Sequence, residues 1–104
     1  MRQTREILER LTPEDRVAWR ALQQMPNVGP AVGYDLIRLG IRQTGDLVGR
    51  SPDDLYEVVG RLVGSPHDPC VLDTMTAVVR YAETGDAIPW WHFSAERKAA
   101  MRAP

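Results

Sequence analysis

The chain has 104 residues, with 13 Lys plus Arg against 14 Asp plus Glu, for a net charge of −1. That length bounds one domain with a modest core. The balance argues against a strongly basic nucleic-acid binder and leaves any such contact to a local patch. The single cysteine rules out an internal disulfide and fits a reducing compartment. No apolar run approaches the roughly 18 residues of a membrane span. The charged opening MRQTREILERL lacks the apolar centre of a signal peptide, so a cytoplasmic protein without membrane contact is expected.

Residues 2–11 read as a short helix with Ile7, Leu8 and Leu11 on one side. Thr12-Pro13-Glu14-Asp15 is a helix start: threonine caps, proline fits the first turn, and the carboxylates meet the positive end of the dipole. The helix from 13 to about 25 places Val17, Ala18, Ala21, Leu22 and Met25 inward, with Trp19 at the edge of the stripe.

Leu22 to Leu47 organises the chain. Pro26 ends one helix, Asn27 and Gly29 tolerate positive φ, and Pro30 opens the next helix. Val32, Leu36 and Leu39 recur at helical spacing, and Gly40 is placed to cap in the left-handed region. Pro26, Asn27, Val28, Gly29 and Gly33 in this order resemble the helix-hairpin-helix motif, with Gly33 small enough for the two helices to approach closely. The hairpin core spans about residues 13–48.

Thr44 is expected to cap a short turn through Leu47 and Val48. Ser51-Pro52-Asp53-Asp54 repeats the start signal, and Leu55, Val58, Val59, Leu62 and Val63 form the following stripe. A loop at Gly64, Ser65, Pro66 and His67 leads to Asp68-Pro69 and a helix facing Val71, Leu72, Met75, Val78, Val79 and Ala82 inward until Thr84-Gly85. This second pair, about 52–84, admits a reading as a degenerate second hairpin. Residues 88–104 bring the aromatic cluster Ile88-Pro89-Trp90-Trp91-His92-Phe93, then a short basic helix, Ala95 to Met101, capped by Ser94. Nothing alternates with period two, so the expected fold is an all-α, single-domain helical bundle.

A hairpin of this kind can hold a phosphate, because backbone N–H groups at the turn and helix start point outward and the dipole favours an anion. The candidate DNA-contacting residues are Asn27, Val28, Gly29, Ala31, Val32 and Gly33, with Arg38 and Arg42 beyond them and Arg16 and Arg20 on the preceding helix. Ala31 and Val32 stand where binders of this class place lysine, serine or threonine, and Pro30 removes one donor. Two readings follow: weak, sequence-independent DNA binding, or a protein–protein interaction module in which the turn is only a connector. The oligomeric state is left open.

His67, Asp68, Cys70 and Asp73 are the one cluster of metal-capable types, too few for a closed zinc site, so no metal and no cofactor are expected. Cys70 near a helix start is a candidate for a lowered thiol pKa. With no oxyanion stabiliser or orienting partner in view, no enzyme is expected. Trp90 and Trp91 suit a lid over the core with one indole left exposed, stacking on unpaired bases being the alternative.

The stretches MPNVGPAVGYDLIRLGI, SPDDLYEVV, HDPCVLD and PWW together resemble the small bacterial helix-hairpin-helix proteins of the pathogenicity-locus family, some of them described as mitomycin-resistance-like. The resemblance covers roughly residues 17–93. It implies an all-helical fold and a link to DNA, and no established reaction.

Overall fold

Most helices begin where the sequence supplies a proline and a capping side chain, and this sets the architecture. In the computed structural model, which describes residues 2–64 and 68–102, the order is α1 (Arg2–Arg10), α2 (Pro13–Leu22), α3 (Pro30–Arg38), a 3₁₀ turn (Thr44–Leu47), α4 (Pro52–Val63), α5 (Pro69–Thr84) and α6 (Trp90–Arg102). Among the described residues there is no strand. Thr12 Oγ1 accepts from Asp15 N–H at 3.1 Å, Ser51 Oγ from Asp54 N–H at 3.3 Å, and Asp68 Oδ1 from Cys70 N–H at 2.9 Å. Such caps are each worth about 1 kcal/mol.

α3 stops where Gly40 turns left-handed at φ 86°. Gly40 N–H then donates to Ile37 O at 3.0 Å and Ile41 N–H to Leu36 O at 2.9 Å. This is the two-bond glycine stop, and it brings Ile41 onto Leu36; both are fully buried. Leu22, Leu36, Ile41, Leu47, Leu55, Val59, Met75 and Val78 form the centre of one core. α5 packs against α4, α6 and the 3₁₀ turn, while α1 and α2 pack on α3.

Several elements differ from the sequence expectation. α2 ends at Leu22, and the chain to Val28 runs on in tight turns: Met25 N–H donates to Leu22 O and Val28 N–H to Met25 O. Its buried face is turned as well. Trp19 is 4% exposed, whereas Val17 is 68% exposed and Ala21 also faces solvent. The large indole takes the interior position because α3 offers it a gap. The 3₁₀ turn is held by Asp46, not Thr44: its carboxylate accepts from Arg42 N–H at 2.9 Å and Gln43 N–H at 3.2 Å. These bonds, the Arg42 one first, hold the Asp46 carboxyl below its ordinary pKa.

On α4 only Leu55 and Val59 of the described stripe are buried; Val58 and Leu62 are largely exposed. The side chain of Val63 and the expected loop at Ser65, Pro66 and His67 lie outside the described residues. α6 starts at Trp90, well before the expected cap at Ser94, which is instead buried inside the helix. Pro89 opens that helix, its carbonyl accepting from His92 N–H at 3.1 Å.

Candidate functional site

The turn between α2 and α3 is built on Trp19. Its Nε1–H donates to Pro30 O at 2.9 Å, tying the buried indole to the first turn of α3. A Cβ at Gly33 would lie 3.1 Å from Trp19 Cδ1 and 3.2 Å from Nε1. The small residue at 33 therefore makes room for a side chain, where the sequence suggests a close approach of helix backbones.

Asn27 adopts φ 71°, the positive value its type tolerates. Its Nδ2–H donates to Ile88 O at 2.9 Å and its Oδ1 accepts Trp90 N–H at 3.0 Å. One amide thus fixes the turn before α3 and satisfies the first N–H of α6. Val28 is buried beneath the turn, and Val32 is half-buried against the core.

Gly29 is different. Its φ is −96° and its ψ is −171°, extended backbone open to any residue, and a Cβ there would meet nothing within 4 Å. The tolerance of positive φ that the sequence offers at Gly29 is not used. No side chain caps α3 at this point. Gly33 N–H reaches back to Gly29 O at 2.9 Å, but the N–H groups of Ala31 and Val32 belong to the first turn, which has no intrahelical acceptor for them. α2, α4, α5 and α6 each have a side chain on their start, from Thr12, Ser51, Asp68 and Asn27. The start of α3 has no such side chain, so its first-turn donors and the positive end of its dipole are uncapped.

The arginines near the turn are engaged within the chain. Arg38 Nη2–H donates to Leu62 O at 3.0 Å and its guanidinium lies 5.4 Å from the centre of the Tyr34 ring. Arg42 pairs with Asp15 at 3.0 Å and donates to Ile37 O at 3.0 Å. Arg16 donates from Nε and Nη2 to Leu8 O, joining α2 to the end of α1. Arg20 is exposed and makes no ion pair among the described residues.

Between α5 and α6 lies a buried polar triad. Asp73 is 2% exposed on α5 and accepts from Ser94 Oγ at 2.5 Å and from Arg97 Nε at 3.0 Å and Nη2 at 3.1 Å. Burial alone would push the Asp73 carboxyl up; the Arg97 and Ser94 hydrogen bonds and the Arg97 and Lys98 charges outweigh it and hold it below the ordinary value. Asp73 is thus a structural anchor for α6. Sequence reasoning misses this triad, since its members are separated by 21 and 24 residues and no short-range pattern links them.

The Cys70 thiol shows the opposite of the expected shift. Its hydrogen bond with Asp68, then burial and the nearby Asp68 and Asp73 charges, push it up. The helix-start effect is overridden because the cap itself is a carboxylate. His67 lies outside the described residues, and among those described no group of three metal-capable side chains gathers. Trp90 is half-buried and Trp91 is 62% exposed, the two rings meeting edge-on with centres 5.8 Å apart. No described helix is long and apolar enough to cross a membrane.

A model of the family described as pathogenicity locus matches residues 15–99. The mitomycin resistance protein McrB of Streptomyces lavendulae is 42% identical over 80 residues, 77% of this chain and 76% of that protein. A DNA polymerase IV of Halorhodospira halophila (strain DSM 244 / SL1) is 44% identical over 59 residues, 54% of this chain but only 17% of the polymerase. No solved structure matches the chain.

Proposed function

The chain belongs to the pathogenicity-locus family, and from that premise we propose that it is a non-enzymatic helix-hairpin-helix module of the cytoplasm that binds DNA weakly and without sequence preference. The contact is the backbone of Gly29, Ala31 and Val32 at the start of α3, with Asn27, Val28 and Gly33 shaping the turn. The observation that carries this reading is Gly29. It is glycine at a position where neither its dihedral angles nor its neighbours require one. A bare Cα beside uncapped N–H donors leaves space for an outside group to come close, and the helix dipole selects an anion. A phosphate meets both conditions, and contact through backbone reads no bases. The similarity to part of a DNA polymerase supports DNA as the source of that phosphate.

The second reading, a protein-interaction module with the turn as connector, draws on the engagement of Arg38 and Arg42 within the chain. Their commitment leaves the backbone as the main contact and limits the affinity.

The test is a titration with duplex DNA over a salt series. One or two phosphates held should give a slope of about −1 to −2 in log affinity against log salt, with a dissociation constant of about 10⁻⁴–10⁻⁶ M or weaker at physiological salt. Ala31→Lys should tighten binding and steepen the slope by about 0.9. No binding by either protein at low salt rejects the DNA reading in favour of the connector.

A further inference from the structure

A groove of about 470 Å³ runs along α6 beside the start of α5, lined by Trp90, Trp91, Lys98, Arg102 and Cys70 among others. Trp91, Ala95, Lys98 and Arg102 follow at intervals of four, three and four residues, so they form one stripe along the helix. The indole of Trp91 stands out from it, 62% exposed. Trp90 meets that ring at right angles, centres 5.8 Å apart, a contact that occupies at most one face of the Trp91 indole. Lys98 is about 10 Å along the helix from Trp91, and Arg102 about 6 Å beyond Lys98.

The charge of the groove is positive and unspent. Among the described residues its lining contains no carboxylate. On neighbouring faces of α6, Glu96 shares a hydrogen bond with the His92 ring, and Arg97 pairs with Asp73 of α5. The fields of two carboxylates, Asp68 and Asp73, reach Lys98; Asp68 is tied to Cys70 N–H, and Asp73 to Ser94 and Arg97. The raised Cys70 pKa keeps the thiol neutral, so it adds no negative charge. Lys98 and Arg102 make no ion pair among the described residues.

We propose that this groove binds a single strand of DNA, one base stacking on Trp91 and successive backbone phosphates meeting Lys98 and Arg102. An exposed indole face offers apolar area to a flat ring, and two cations one helical turn apart offer pairing to a repeating anion. A duplex supplies the phosphates but keeps its base faces stacked on one another, so an unpaired strand is the form that satisfies both halves of the groove. That the strand is DNA rests on the function proposed above; the stacking and charge argument uses the residues of the groove alone.

The experiment compares a short oligo(dT) with a blunt duplex, using the full chain at low salt and reading the anisotropy of labelled DNA. Trp91→Ala should weaken oligo(dT) binding about tenfold or more. Lys98→Glu should weaken it further and flatten its salt dependence. Both side chains are exposed, and unchanged circular dichroism confirms that the variants fold. Ala31→Glu, at the α3 start, should lower duplex binding and leave oligo(dT) binding unaltered, which separates this groove from the hairpin. The proposal is overturned if oligo(dT) does not bind at low salt, or if its affinity survives Trp91→Ala and Lys98→Glu unchanged, whatever the duplex does.

Discussion

The backbone N–H of Trp90 donates to Oδ1 of Asn27 at 3.0 Å, across 63 residues of chain. The same side chain donates back to Ile88 O, so the amide is used at both ends. The turn leading into α3 and the start of α6 are therefore one unit, and neither can shift without breaking the other's hydrogen bonds. This places the uncapped start of α3 and the aromatic start of α6 on adjoining parts of the molecule.

Asn27→Ala should be among the more damaging single changes outside the hydrophobic core. It removes both bonds and forces a Cβ-bearing residue without a side-chain amide to hold φ 71°. The combined cost is about 2–4 kcal/mol. Asn27→Gly should recover about 1–2 kcal/mol of that, because glycine meets the dihedral requirement while leaving Trp90 N–H and Ile88 O without the amide. Urea unfolding of the three proteins checks the order: wild type, glycine, alanine.

The two glycines of the turn should behave in opposite ways. Gly33→Ala drives a methyl to 3.1 Å from the buried Trp19 ring, which is pinned by Pro30 O and has little room to yield. A loss of about 1–3 kcal/mol is expected, partly offset by the better helix propensity of alanine. Gly29→Ala enters open space at φ −96°, so stability should stay within about 0.5 kcal/mol. Its effect should instead fall on duplex binding. A Gly29→Ala protein that is fully stable and binds DNA as the wild type does would remove the functional reason for that glycine.

The Asp73 carboxyl has its pKa held down in the folded state, so the stability it contributes is present above the ordinary carboxylate value of about 3.9. That contribution is lost as pH falls through the lowered native value, and it does not change across the neutral range. Asp73→Asn should cost roughly 2–4 kcal/mol at neutral pH. That lies somewhat below the cost of breaking a fully buried pair, because the Arg97 side chain keeps 24% of its surface in water. Chemical denaturation from about pH 6 to about pH 3 should show a shallower acid loss in the Asn variant than in the wild type.

Cys70 should alkylate slowly at neutral pH, since Asp68 raises its pKa and thiolate is the reactive form. Asp68→Asn keeps a good capping residue while removing the charge, so the fold should tolerate it. The pH midpoint for iodoacetamide labelling should then move down. An unmoved midpoint would mean that burial, not the carboxylate, sets the thiol's behaviour.

The sequence determined the features that close within about four residues. Thr12, Ser51 and Asp68 cap the helices that follow them, proline opens α2 to α6 at or just before the first helical residue, and Gly40 stops α3, because each acts on backbone groups one turn away. The helical class follows from the apolar period, and membership of the pathogenicity-locus family from motifs such as MPNVGPAVGYDLIRLGI.

Only the tertiary structure decided which face of α2 is buried. Val17, Trp19 and Ala21 are all apolar, and a helical period alone does not choose between adjacent faces. The choice lies with Gly33 on α3, whose missing side chain leaves the space that the Trp19 ring fills. In the same way, Asn27 shows its tolerance of positive φ in the sequence but not its partners, Ile88 and Trp90. Ser94 reads as a helix cap and is in the fold a donor to a buried carboxylate. Arg38 and Arg42 read as cations available to DNA and are tied to Leu62, Tyr34, Asp15 and Ile37. The physical reason is common to all of them. A cap or a turn is set by backbone groups that the local chain always brings together, whereas a partner many residues away is set by how the helices pack, and no short-range pattern carries that.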